Sequence, residues 1–80
     1  MNLNRAFGIR LTTLLNEKNI SKYKLEKQSG LSHSALRNIF NEINNDVKFS
    51  TIAKVCSVLG ISLKEFFDDS IFEIDNLDID

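Results

Sequence analysis

Apolar residues at Phe7, Leu11, Leu14 and Leu15 keep the i, i+4, i+7, i+8 spacing of one helical face, which predicts a first helix from Asn4 to about Lys18. Asn19-Ile20-Ser21 interrupts the pattern, and Ser21 stands where a side-chain oxygen can cap a second helix over Lys22 to Ser29. Gly30 closes that helix, because glycine enters the left-handed region without a side-chain penalty. Ser32 then caps a third helix with Ala35, Leu36, Ile39, Phe40 and Ile43 on its apolar side. The result is helix, tight turn, helix.

Asn41 to Lys48 is polar and asparagine-rich, and reads as a loop. Ser50 is expected to cap a fourth helix ending at Gly60, and Ser62 a short fifth one from Leu63 to about Phe67. Five helices and no strand pattern predict an all-α fold, with residues 1–67 as one domain and 68–80 as a tail.

Charge divides the chain at the same place. The net charge is only -1, yet all ten Lys and Arg residues lie between Arg5 and Lys64. Six of the eleven acids, Asp68, Asp69, Glu73, Asp75, Asp78 and Asp80, lie in the last thirteen residues, so residues 1–67 carry +5 and the tail -6. A basic body with that balance is compatible with a nucleic-acid partner. The tail allows two readings. Its charge favours disorder, whereas Ile71, Phe72, Ile74, Leu77 and Ile79 could pack on the same subunit or on a partner and help form a dimer. Its acids could also face the basic surface and weaken non-specific DNA binding.

Apolar runs are far shorter than the roughly 20 residues of a membrane span, and the N-terminus does not lead into a signal-peptide core, so a cytoplasmic location and no membrane contact are expected. Cys56, the single cysteine, lies in the apolar pattern of the fourth helix and is expected to be a buried thiol. One histidine and one cysteine, far apart, supply no metal site, and no cofactor is expected. No nucleophile-base pairing and no glycine-rich phosphate loop is present, which argues against an enzyme.

The third helix offers a different chemistry. With Leu36 and Ile39 facing inward, His33, Ser34, Arg37, Asn38 and Asn41 face outward, as a helix in the DNA major groove requires. Lys22, Lys24 and Lys27 on the preceding helix, with Lys48 in the loop, offer positive charge to phosphates.

From about Phe7 to Phe67 the sequence resembles the phage-repressor type of helix-turn-helix domain, the lambda Cro and C1 or Xre class of transcriptional regulators. The resemblance is carried by Ile20-Ser21-Lys22, Leu25, Gly30-Leu31-Ser32, Ser34-Ala35-Leu36, Ile39, and the run from Ile52 to Phe67 with its ending Leu59-Gly60-Ile61-Ser62-Leu63-Lys64-Glu65-Phe66-Phe67. It implies a compact five-helix bundle whose third helix enters the major groove, usually as a homodimer on a palindromic operator.

By that resemblance His33, Ser34 and Asn38 fall at base-reading positions with Arg37 beside them, and Lys22 and Asn41 fall at phosphate contacts; Lys24 and Lys48 are taken as further phosphate contacts. Three departures stand out. Lys22 replaces a common glutamine. Leu15 and Phe40 stand where many members place an Arg and a Glu that tie the first helix to the third, so an apolar contact is expected instead. Val47 and Phe49 stand in a loop where proline is common.

The expected function is a sequence-specific transcriptional regulator, acting as a repressor. A chain this short leaves no room for a fused sensor, so control is expected from concentration, a partner protein or cleavage. The alternative is an antitoxin or anti-repressor partner whose main contact is another protein, reached through the tail, with autoregulatory DNA binding.

Overall fold

In a computed structural model, the structure describes residues 1–41 and 47–78, without the side chain of Asn41. The expected loop residues 42–46, Ile43 on the third helix, and Ile79 and Asp80 lie outside the described residues. The chain forms α1 (Leu3–Lys18), α2 (Lys22–Ser29), α3 (His33–Asn41), α4 (Phe49–Leu59) and α5 (Leu63–Phe66), followed by two 3-10 turns, Ser70–Phe72 and Ile74–Asn76. The five helices are those the apolar spacing predicts.

Their ends follow from local chemistry. Asn2 accepts from the Arg5 amide at 2.8 Å and starts α1. Asn19 closes α1 at φ +57°, a left-handed conformation that asparagine tolerates better than most residues. One expected cap is displaced. The sequence places Ser50 at the cap of α4, but the helix begins at Phe49, with Lys48 in the cap position and no side-chain cap bond. Phe49, the first residue of the helix, stacks its ring on Phe67 at 6.0 Å and 27°.

Leu11 from α1, Leu25 from α2, Ile39 from α3, Ile52 and Val55 from α4, and Phe66 from α5 are almost wholly buried in one cluster. Cys56 is also buried there; burial, with some help from the negative charge of Glu65, pushes its thiol pKa up. Gly8 explains how closely α1 approaches α3. A Cβ built on it would stand 2.7 Å from the Ile39 carbonyl oxygen, so only glycine fits. Of the two positions where an apolar contact is expected, Leu15 is buried in the cluster and Phe40 packs half-buried against that cluster.

The segment after Phe67 folds back on α1. Arg10, a buried cation, donates from Nε to the Phe66 carbonyl and from a terminal nitrogen to the Glu65 carbonyl, both at 2.8 Å, and reaches Asp69 at 3.4 Å. Phe72 joins Phe7, Phe66 and Phe67 in an aromatic cluster with centroids 5.0–6.5 Å apart. The Asp78 amide donates to the Met1 carbonyl at 2.8 Å, and the Met1 ammonium meets the Asp78 carboxylate at 3.1 Å. Of the apolar tail residues, Ile71, Phe72 and Leu77 are half-buried on their own chain, whereas Ile74 stays 64% exposed.

Candidate nucleic-acid interface

The corner between α2 and α3 is built from short polar side chains. Ser21 Oγ accepts from the Lys24 amide at 3.0 Å at the start of α2, and Gly30 ends the helix at φ +71°. Ser29 Oγ accepts from the Leu31 amide at 3.2 Å, and Ser32 Oγ accepts from the Ala35 amide at 3.1 Å to open α3. Each of these bonds satisfies an amide that a helix end or turn would leave unpaired. The consequence is a fixed angle between the helices that does not depend on a large interface; Leu25 is the one residue of α2 that is buried.

A second brace is the Lys22 ammonium, 4.2 Å from the centroid of the Phe40 ring. A cation over an aromatic face is attracted by the ring quadrupole. Here it joins the first residue of α2 to the last turn of α3, so Lys22 is oriented as well as charged.

α3 buries Leu36 and Ile39 and exposes His33, Ser34, Arg37 and Asn38. At about 100° per residue the exposed four form a ridge, with Ser34 most directly opposite the core and Arg37 and Asn38 on either side of it. Two grooves flank that ridge. One, of about 390 Å³, is lined by Lys22, Tyr23 and Glu26 of α2 and by His33, Leu36, Arg37 and Phe40 of α3. The other, of about 420 Å³, runs between Ser34 and Asn38 and the start of α4, where Lys48, Ser50 and Lys54 line it.

The expected site residues therefore separate into two sets. His33, Arg37 and Lys22 share the first groove, whereas Ser34, Asn38 and Lys48 share the second. Lys24 lines neither, since it sits about 160° around α2 from Lys22. The side chain of Asn41 lies outside the described residues. Lys54 and Tyr23 were missed by the sequence reading. Lys54 reaches the groove because the fold brings α4 to its far side, opposite Ser34 and Asn38, and Tyr23, 70% exposed, lies under the Lys27 ammonium at 5.4 Å.

Among the described residues no group of three His, Cys, Asp or Glu side chains could hold a metal ion, and no helix is long and apolar enough to cross a membrane. The exposed ridge carries hydrogen-bonding groups between two rims of cations, which suits a polyanion with readable edges.

Comparison with known proteins agrees with that chemistry. Residues 10–70 match the model of the Cro/C1-type HTH DNA-binding domain. Over 64 residues the chain is 34% identical to the HTH-type transcriptional regulator PuuR of Escherichia coli (strain K12), and equally to PuuR of Shigella flexneri. That alignment covers 80% of this chain but only 34% of each relative. No solved structure matches the chain significantly. The chain belongs to the Cro/C1-type helix-turn-helix DNA-binding domain family.

Proposed function

We propose that this protein is a sequence-specific transcriptional repressor of the cytoplasm that binds a palindromic operator as a homodimer and reads it with α3. The observation that carries the reading is the polar ridge of α3, exposed between two grooves with cations on their rims. His33, Ser34, Arg37 and Asn38 meet base edges, while Lys22 and Lys48 hold phosphates on opposite sides, with Lys54 behind Lys48. Nine residues of α3 span about 13 Å, a length that lies readily along a major groove about 12 Å wide.

A module of this size makes few phosphate contacts alone, and two half-sites about 34 Å apart supply the missing affinity. Phe49, 63% exposed beside Lys48, and Leu3 flank a groove of about 320 Å³ that is apolar enough to serve as the contact between copies. Phe49→Ser is expected to shift the protein toward monomer in sedimentation and to weaken operator binding.

The base-reading role is tested with two variants that should fail differently. Asn38→Ala should cost about 1 to 3 kcal/mol on the operator and little on random duplex. Lys48→Ala should weaken both and lower the salt slope by about one. Equal losses on both DNAs for Asn38→Ala would remove it from the reading surface.

A further inference from the structure

His33 is the first residue of α3, and its side chain is 73% exposed on the ridge. Its Nδ1 is nevertheless engaged, 2.9 Å from Glu26 Oε1 on α2. Glu26 is half-buried along the groove that also carries Lys22, Tyr23 and Arg37, and the Lys22 ammonium is drawn to the Phe40 ring. An ionised carboxylate can only accept, so the contact requires a proton on Nδ1. In a neutral imidazole the other nitrogen, Nε2, is then left with a lone pair and no hydrogen.

We propose that Glu26 is a positioning residue that fixes the His33 tautomer, so that His33 presents Nε2 as an acceptor and reads an exocyclic amino group in the major groove. This rests on the reading of α3 as the base-contacting helix. The amino groups on that edge are cytosine N4 and adenine N6, whereas guanine and thymine present acceptors there. Two lone pairs cannot share a hydrogen bond, so a guanine or a thymine opposite His33 leaves Nε2 unpaired. Glu26 touches no DNA in this arrangement. It acts through the ring it holds, and it converts an ambiguous side chain into one with a defined hydrogen-bonding sense.

The test has two arms on the full chain. The first is a long-range proton–nitrogen NMR spectrum of the single histidine. The native protein is expected to show the Nδ1–H tautomer, and Glu26→Gln, whose amide can donate as well as accept, to lose that bias. The second arm measures binding to operators carrying each base at the position whose discrimination disappears in His33→Ala. Native protein should prefer adenine or cytosine there by about fivefold, the worth of one hydrogen bond, and Glu26→Gln should flatten that preference while leaving the other positions unchanged.

An Nε2–H tautomer in the native chain overturns the proposal, as does a base preference that survives Glu26→Gln. Loss of discrimination nowhere in His33→Ala overturns His33 as a base reader instead, and the NMR arm separates that failure from a failure of the tautomer assignment.

Discussion

Around α2 and α3 the molecule holds its shape with bonds between near neighbours: Ser21 to Lys24, Ser29 to Leu31, Ser32 to Ala35. Around α1, α5 and the tail the contacts cross the sequence, with Arg10 bonded to residues 55, 56 and 59 positions away. The first region leaves its outer face free for a ligand. The second buries a cation and gathers four phenylalanines. The difference teaches that stability and DNA recognition are largely separate properties here, to be damaged one at a time.

The largest expected effect lies in the long-range region. Arg10→Met keeps the aliphatic volume but removes the donors from two carbonyls, and should cost about 3 kcal/mol in urea unfolding. DNA affinity of the remaining folded protein should change little. Should Arg10→Met instead abolish operator binding at full stability, the separation fails.

Gly8→Ala lies where the two regions meet and should sharpen the comparison. Alanine favours a helix over glycine by about 1 kcal/mol, yet its Cβ would collide with the Ile39 backbone. The expected net loss is about 1 to 3 kcal/mol, as for overpacking, together with weaker operator binding because α3 is displaced. An alanine that stabilises the protein would show that α1 and α3 can part at no cost.

The smallest effect concerns Cys56. Its thiol pKa is raised in the folded state by burial and then by Glu65, so the unfolded chain loses the proton first as pH rises. Stability from this group is intact below the ordinary thiol range and declines between that value and the raised one. Unfolding of the native protein in alkaline buffer should therefore steepen with pH more than that of Cys56→Ala, with operator affinity unchanged between them.

The same contrast explains what was legible in the sequence. The caps at Ser21, Ser32 and Ser62 and the left-handed Gly30 depend on residues a few positions apart, and the pattern shows them directly. The cap of α4 was misplaced by two residues, with Lys48 standing where Ser50 was expected, and the ring stack of Phe49 on Phe67 beside it is not visible in local spacing. Arg10 was legible only as one of the ten basic residues of the body, since nothing near it in sequence announces its carbonyl partners. The tail was ambiguous for a related reason: its charge argued for disorder, while Asp69 on Arg10 and Phe72 among the other rings come into view only when the fold closes. In the site, the ridge of α3 was legible from helical periodicity, but Glu26 and Lys54 were not, because each enters through another helix.

The most direct test of α3 as a reader of operator DNA is selection of bound sequences from a random duplex pool by the full chain at moderate salt. An enriched palindrome, with half-sites about one helical turn apart, is the predicted result. Salt-sensitive binding with no enriched sequence would contradict the account.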